Sequence, residues 1–203
     1  MQNSSQSAAH VLTVAATGAS GAEFTRALLL LLEHDARVQA VNFIASNNAL
    51  RIFAEELEIK GRNDLVHQLL GKKSKKIHQQ NIDDIGANIA SGSYPTHAMI
   101  ILPCSMGTLA RIAHGFAGNL IDRAADVCLK EKRPLVLCIR ETPLNRVHLR
   151  NMTWAAEAGA TIYPLIPTFY NRPSTLPEMA HQFACRVLAF VGLEQPDAYV
   201  WGG

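Results

Sequence analysis

Short apolar runs alternate with amphipathic segments along most of this chain. The runs are rich in β-branched and aliphatic residues, and they predict strands at 11–16, 38–44, 98–102, 135–139 and 161–165, with a weaker one near Ile77. Helical spacing of apolar side chains predicts helices at 22–33, 47–57, 109–113, 119–130, 146–158 and 177–191. Near-continuous apolar strands separated by helices are typical of a parallel sheet covered on both faces. We therefore expect a three-layer α/β/α fold around a mainly parallel sheet of about six strands.

Length and composition favour a single domain over residues 1–203. The chain is 48% hydrophobic, contains no internal repeat and has no linker rich in Pro, Gly or Ser. The N-terminus lacks the basic start and apolar stretch of a signal peptide, so we expect residues 1–10 to be a flexible tail. The leucine run 28–32 is far shorter than the roughly 20 residues that span a bilayer. These features predict a soluble, cytoplasmic protein.

Charge and cysteine usage exclude some classes of function. A net charge of +2 is too small to indicate nucleic-acid binding, and the basic cluster 72–76 has no interleaved aromatic residues, so it is interpreted as a solvated loop. The four cysteines form no Cys-x-x-Cys pair and lie in apolar surroundings. They predict buried thiols in a reducing compartment.

The loops that follow the strands are the expected binding region, because parallel sheets bind ligands at the carboxyl ends of their strands. These loops are 17–21, 103–108, 140–143 and 167–173. The first matches neither the dinucleotide fingerprint, the P-loop nor the nucleophile elbow. It remains a small-residue turn at a helix N-terminus, where free amides favour a phosphate, although a turn without a ligand is an equal alternative.

The second loop repeats the arrangement of strand, small polar loop and helix. Cys104 or Ser105 could act as a nucleophile there, but no histidine is placed nearby in the sequence to activate either one. Two such loops at neighbouring strand ends suit a ligand that has both a phosphate and a flat ring.

Charged residues after residue 119 suggest a second group. Arg123 and Lys130 are seven residues apart and so share a helix face, and Arg140 and Glu141 end the next predicted strand. We expect these side chains to converge. A solvated helix face is the alternative for Arg123 and Lys130.

The motifs TGASGA, ASGS, PCSMGTLA, RAADVCLKEKRPLVL, RETPL, HLRNM and FYNRP, with the closing Trp201, resemble the UbiX-type flavin prenyltransferases. The resemblance runs from about residue 12 to residue 201. It implies a homo-oligomeric, Rossmann-like flavoprotein, in this family a dodecamer. The implied reaction joins a dimethylallyl group from dimethylallyl phosphate to N5 and C6 of reduced FMN without a metal. The prenylated FMN then serves a UbiD-type decarboxylase in ubiquinone biosynthesis or aromatic acid decarboxylation.

The resemblance also implies roles for individual residues. The positions that correspond to FMN contacts are Gly18, Ala19, Ser20, Ser46, Ser105, Met106, Gly107, Thr108 and Arg140. The positions that correspond to prenyl-phosphate contacts are Arg123, Lys130, Tyr170 and Arg186. The implied catalytic group is Glu141 as acid or base, together with Lys130, Ser20 and Trp201. Trp201 belongs to the segment 192–203, which is expected to close over the site.

These residue types suit that chemistry. Reduced flavin N5 is the nucleophile, so the protein has to position an allylic carbon and stabilise the departing phosphate. Arg186 can grip two phosphate oxygens, Lys130 adds a point charge and Tyr170 donates a hydroxyl hydrogen bond. An aromatic wall from Trp201 or Phe169 would stabilise a polarised allylic cation.

Two alternatives stay open. An FMN-dependent cysteine decarboxylase of the same fold would carry Pro-Ala-Ser-Ala-Asn-Thr where this chain has Pro-Cys-Ser-Met-Gly-Thr at 103–108. A non-catalytic flavin carrier would need FMN contacts but no convergent cations. We also expect an oligomer larger than a dimer with sites at subunit junctions, because the helices at 184–191 and around Trp154 offer more apolar surface than one sheet face needs.

Overall fold

A computed structural model describes residues 9–200 and Gly202. Its sheet has six strands in the order β3-β2-β1-β4-β5-β6, and every neighbouring pair is parallel. The strands are β1 (His10–Ala16), β2 (Val38–Ala45), β3 (Ile77–Gln80), β4 (Ala98–Cys104), β5 (Leu135–Ile139) and β6 (Thr161–Ile162). The predicted fold class is confirmed.

The last strand is shorter than predicted. Beyond Ile162 the chain still follows β5, since the Tyr163 and Leu165 amides donate to Leu137 and Ile139 at 2.9 and 2.8 Å. Pro164 lies between them, where an N–H would point away from β5, so its missing donor is tolerated at this edge of the sheet.

The helices are α1 (Ala22–His34), α2 (Asn47–Leu57), α3 (Leu65–Leu70), α4 (Met106–Ala113), α5 (Leu120–Lys130), α6 (Arg146–Glu157) and α7 (Leu176–Phe190). The α4 helix begins earlier than predicted because the Ser105 side chain caps it by accepting from the Thr108 amide at 3.4 Å. The six-residue helix α3 was not predicted, since it is too short to show a clear period.

Two hydrophobic clusters cover the two faces of the sheet. Along β4, Ile100 and Leu102 face the cluster that contains α1, α2, α3 and α7, and Met99 and Ile101 face the cluster that contains α4, α5 and α6. Alternation along a strand thus places α5 and α7 on opposite faces.

The apolar surface expected on α7 is mostly buried within the subunit. Ala184, Val187 and Leu188 are buried, and in the segment 184–191 Phe190 is the exposed large side chain. Helix α6 keeps its exposed apolar side chains, with Trp154 40% exposed. The prediction that α7 leaves a broad apolar face is therefore wrong, because α7 packs against α1.

The basic cluster is not simply a solvated loop. Lys76 is half-buried, and its ammonium donates to the carbonyls of Leu32, Glu33 and Asp35 at 3.3, 2.9 and 2.8 Å. It satisfies carbonyls at the end of α1, where the helix dipole favours a cation. All four cysteines are buried and unpaired, as predicted. In the described residues no helix is long and apolar enough to cross a membrane.

Candidate functional site

The loops predicted to contact FMN meet at the carboxyl edge of the sheet, where the strand order reverses between β1 and β4. Backbone hydrogen bonds tie their first residues together: Ser46 to Ala16 at 3.0 Å, Thr17 to Pro103 at 3.1 Å, and Arg140 to Cys104 at 3.2 Å. The parallel sheet therefore places the 18–20 turn, Ser46, the 105–108 loop and Arg140 side by side. The proposed FMN positions form one group, which we call the carboxyl-edge cluster.

The first turn of this cluster requires small residues. A Cβ on Gly18 would lie 2.5 Å from the Asn48 Cβ, so any side chain there would displace the start of α2. Gly21 has a φ of 131°, and a Cβ on it would lie 3.0 Å from the Leu165 side chain. The turn is thus packed closely between α2 and the chain that follows β6.

The N-terminus of α1 already binds an anion from the protein itself. The carboxylate of Glu56, on α2, accepts from the amides of Gly21 and Ala22 at 3.0 and 2.7 Å. The expectation that free amides of this turn await a phosphate is therefore wrong for these two donors. The sequence alone does not reveal this contact, because no local pattern shows that α2 folds back onto α1.

The N-termini of α2 and α4 remain available at the same edge. Ser46 and Ser105 cap these helices by accepting from the Ala49 and Thr108 amides. Among the described residues, no partner is recorded for the preceding amides of α2 (Asn47, Asn48) and α4 (Met106, Gly107). Such amides, with the positive end of the helix dipole, favour anions.

Arg62 adds a positive charge that the sequence did not reveal. Its guanidinium donates to the Ala45 carbonyl at 3.1 Å and to the Asn47 side chain at 2.7 Å, so it lies beside Ser46 at the start of α2. The only sequence signal is a lone arginine in an irregular stretch, and its position depends on how that stretch packs.

A polar network supports the 105–108 loop from behind. Arg111 donates to the Thr108 hydroxyl at 3.1 Å and to the buried Asp122 carboxylate at 2.7 Å. The Thr108 hydroxyl in turn lies 3.2 Å from the hydroxyl of Ser105. Burial raises the pKa of the neighbouring Cys104 thiol to about 12, so this thiol is protonated at neutral pH and is not a ready nucleophile.

Glu141 extends the carboxyl-edge cluster beyond Arg140. Its side chain is exposed, and one carboxylate oxygen accepts from the Thr142 amide at 3.0 Å. The carboxylate is therefore open to a ligand at the end of β5.

Lys130, at the end of α5, lies at the opposite edge of the sheet, where β5 begins, whereas Arg123 lies seven residues earlier on the same helix. Arg123 donates to the Ala90 carbonyl at 3.1 Å, and Lys130 pairs with Glu131 beside Gly92. We call Lys130 and Glu131, with the ASGS segment 90–93, the amino-edge cluster, because these residues precede β4 and β5. The five residues of β5, about 16 Å of strand, separate it from Glu141. The expected convergence of Lys130 with Arg140 and Glu141 is therefore wrong within one chain, whereas the convergence of Arg123 with them stays a prediction.

Tyr170 and Arg186 form a third group. Together with Thr168, Tyr199 and Val200 they line a cavity of about 560 Å³. Arg186 is exposed on α7, across the sheet from α5. Tyr199 and Val200 belong to the segment expected to close the site, whereas Trp201 lies outside the described residues.

The fold and the carboxyl-edge cluster define a flavoprotein of Rossmann-like architecture. A protein-family model described as Flavoprotein matches residues 1–181. The chain is 43% identical over 199 residues to the flavin prenyltransferase UbiX of Salmonella typhimurium, covering 95% of this chain and 98% of the relative. It belongs to the UbiX family of flavin prenyltransferases.

Solved structures agree with this assignment. The structure of AnUbiX (PadA1) in complex with FMN and dimethylallyl pyrophosphate superposes with a TM-score of 0.85 at 38% identity, covering 96% of this chain and 98% of the other. The dodecameric FMN-dependent Ubix-like decarboxylase from Escherichia coli O157:H7 gives a TM-score of 0.83 at 41% identity, covering 95% and 100%. Both are similar over essentially the whole fold.

Proposed function

We propose that this protein is a flavin prenyltransferase that joins the dimethylallyl group of dimethylallyl phosphate to N5 and C6 of reduced FMN. The prenylated FMN would pass to a UbiD-type decarboxylase in ubiquinone biosynthesis or aromatic acid decarboxylation. The observation that carries the proposal is the carboxyl-edge cluster, which unites the family's FMN-binding positions on adjacent strand ends. Four buried thiols favour action in the reducing cytoplasm.

FMN fits this edge. One side of the flavin would contact Gly18, Ala19 and Ser20, and the other side would contact the 105–108 loop. In that loop Gly107 is exposed and Met106 is buried. Reduced FMN supplies the nucleophilic N5, and the chain supplies position and charge. Close packing of Gly18 against Asn48 keeps this side of the edge free of bulky side chains.

The phosphate of FMN belongs at the start of α2. The α1 amides of Gly21 and Ala22 are occupied by Glu56, whereas Ser46 stands between two unpartnered helix amides and the Arg62 guanidinium. A hydroxyl, backbone amides and a positive charge together suit a dianionic phosphate. Arg140, at the end of β5, adds a second cation on the same edge.

The prenyl phosphate would be held by groups from more than one subunit. Lys130 cannot reach Glu141 of its own chain, but the amino-edge cluster of one subunit would meet the carboxyl-edge cluster of another. Exposed apolar side chains on α6, including Trp154, favour such contacts. We propose a homo-oligomer of the dodecameric kind, with Tyr170 and Arg186 completing the phosphate site.

Glu141 would act as the acid or base of the transfer. Bond formation at C6 must release a ring proton, and an exposed carboxylate at the end of β5 can accept it. Lys130 from a neighbouring subunit would stabilise the leaving phosphate, and Ser20 would contribute a hydroxyl beside the flavin. The segment 192–203 of this single domain would close the site with Trp201.

The test is anaerobic incubation of the purified protein with reduced FMN and dimethylallyl phosphate, followed by mass spectrometry of the extracted flavin. A flavin enlarged by one five-carbon unit supports the transferase. Bound but unmodified FMN would instead favour a flavin carrier. Loss of CO₂ from a peptide with a C-terminal cysteine, added in a parallel reaction, would favour the decarboxylase of the same fold. Light scattering of the same sample should report an oligomer larger than a dimer.

A further inference from the structure

His181, Cys185 and Asp197, none of which belongs to a motif loop, bring three metal-binding atoms together. One ligand atom from each residue lies within 4.8 Å of the others. His181 and Cys185 are four residues apart on α7, so their side chains share a face of the helix. Asp197 comes from the segment after α7, and its Oδ2 lies 2.6 Å from the His181 Nε2.

The group lies at the wall of a cavity of about 730 Å³ between α1, the start of α7 and this segment. His181 and Asp197 both line the cavity, as do Gln182 and Tyr199. Cys185 is buried behind them. A cation held by the three residues would therefore have protein on one side and an open position towards the cavity on the other.

We propose that His181, Cys185 and Asp197 bind one zinc-class divalent cation, with a fourth position open to the cavity. Imidazole nitrogen, thiolate sulfur and carboxylate oxygen together suit Zn²⁺. Tetrahedral zinc with ordinary bond lengths sets its ligand atoms about 3.3–3.8 Å apart. The widest pair of ligand atoms therefore needs to contract by about 1 Å, and the hydrogen-bonded His181 and Asp197 atoms, now 2.6 Å apart, need to separate. Rotation of the exposed Asp197 side chain supplies part of that movement.

Binding has a defined proton balance. The Cys185 S–H bond breaks, a sulfur–metal bond forms, and the proton leaves to solvent. Burial, and then the nearby charge of Asp197, raises the pKa of the Cys185 thiol to about 12, so without a cation this sulfur stays protonated. His181 binds as the neutral imidazole, which replaces its present hydrogen bond to Asp197 with a bond to the metal.

The cation would fix the position of the segment after α7. Tyr199, two residues beyond Asp197, lines the cavity that contains Tyr170 and Arg186, and Arg186 directly follows Cys185. The metal would thus stabilise one wall of that cavity without entering the transfer reaction. This structural role is independent of the proposed function, because its readouts need neither flavin nor prenyl donor.

The experiment uses the full, tag-free protein after treatment with a chelator. It is dialysed against ZnSO₄, and bound metal is measured by inductively coupled plasma mass spectrometry. We expect one zinc per chain, and a Tm about 5–10 °C higher when free zinc exceeds its Kd about a hundredfold. Replacement by Co²⁺ should give the near-ultraviolet charge-transfer band of a cobalt–thiolate bond.

Variants locate the site. Cys185→Ser should lose both the zinc and the cobalt–thiolate band, and Asp197→Asn should weaken zinc binding at least tenfold. Because Cys185 is buried and its variant could fail to fold, the exposed Asp197→Asn serves as the second variant. Cys128→Ser, at a buried thiol on α5, is the matched control and should bind zinc like the parent. Absence of bound zinc, absence of the thiolate band, or equal zinc affinity in the parent and Asp197→Asn would each overturn the proposal.

Discussion

The Thr17 hydroxyl joins the first two loops of the site through Ser105. It donates to the Pro103 carbonyl at 2.9 Å and accepts from the Ser105 amide at 2.7 Å. Thr17 is 2% exposed, so water cannot easily replace these bonds. This hydroxyl therefore supplements the backbone hydrogen bond from Thr17 to Pro103 in fixing the relative position of the two flavin loops.

Thr17→Val should destabilise the protein and weaken FMN binding. The variant keeps the shape but leaves the Ser105 amide without its acceptor, which typically costs about 1–3 kcal/mol. Urea unfolding and FMN titration measure the two effects. Thr13→Val is the matched control, since the buried Thr13 hydroxyl has no hydrogen-bond partner among the described residues, and its stability should be unchanged or higher. Equal losses in both variants would contradict a special role for the Thr17 hydroxyl.

Arg62→Met should weaken FMN binding much more than riboflavin binding, because riboflavin lacks the phosphate. Loss of a charged hydrogen bond of about 1.5–3 kcal/mol corresponds to roughly 10- to 150-fold in Kd. Fluorescence titration with both flavins measures the ratio. Arg51→Met, at an exposed arginine of α2 that pairs with Glu55, is the control and should bind both flavins normally. If Arg62→Met loses affinity for both flavins equally, Arg62 supports the fold and does not bind the phosphate.

Glu141→Gln should retain FMN binding and lose formation of the prenylated flavin. The amide keeps the shape of the side chain but cannot accept a proton, and general acid–base groups typically contribute about 10²–10⁴ in rate. The extracted flavin is quantified by mass spectrometry over time at several pH values. Glu157→Gln, at the end of α6, controls for the change in net charge. Turnover near that of the parent at every pH would remove Glu141 from the mechanism.

Arg186→Ala should weaken dimethylallyl phosphate binding far more than FMN binding. Loss of one partner of a desolvated charge pair costs about 2–5 kcal/mol, or roughly 30-fold to several thousand-fold in affinity. Calorimetric titration of each ligand separates the two effects, with Arg51→Ala as the control. Equal losses for both ligands would indicate that Arg186 maintains the fold.

The ionised Asp35 should stabilise the folded protein at neutral pH and lose this effect in acid. Hydrogen bonds from Arg37 hold the pKa of Asp35 well below its usual range, despite the opposing effect of burial. A lowered carboxyl pKa stabilises the folded state above the unfolded pKa of about 3.9, and this contribution disappears as pH falls through the folded value. Asp35→Asn should therefore be roughly 1–3 kcal/mol less stable than the parent at neutral pH.

The difference in free energy of unfolding between the parent and Asp35→Asn should become smaller as the pH is lowered below about 4. Urea unfolding over a pH series measures it. Asp83→Asn, at an exposed position, should show no such dependence. If the difference in free energy of unfolding stayed constant from neutral to acid pH, the pH dependence could not be assigned to Asp35.

Local patterns predicted the elements of the fold well. The bounds of α2 and β5 match the prediction, because uninterrupted apolar or amphipathic runs define them. The carboxyl-edge cluster was also predictable, since parallel strands bring their following loops to one edge. Glu56 and Arg62 could not be predicted, because their partners are distant in sequence and depend on how α2 and the stretch after it pack.

The prediction that Lys130 lies close to Glu141 was wrong for a different reason. Lys130 ends α5 and Glu141 follows β5, and both were treated as ends that meet. A helix that leads into a parallel strand runs antiparallel to it, so the end of the helix lies where the strand begins. The order of elements along the chain therefore implies that Lys130 and Glu141 lie at opposite ends of β5.

Opposite placement of the two edge clusters has a genetic consequence. Under the proposed arrangement each chain gives its Glu141 to one reaction centre and its Lys130 to another. A mutant allele defective at both residues would then impair centres built partly by normal chains, so its effect in a mixed population would exceed its share of the protein, whereas an allele defective at one residue would inactivate centres only in proportion to its share. Conversely, two inactive alleles, one defective at Lys130 and one at Glu141, could restore each other when expressed together, because some centres would draw both intact groups from different chains.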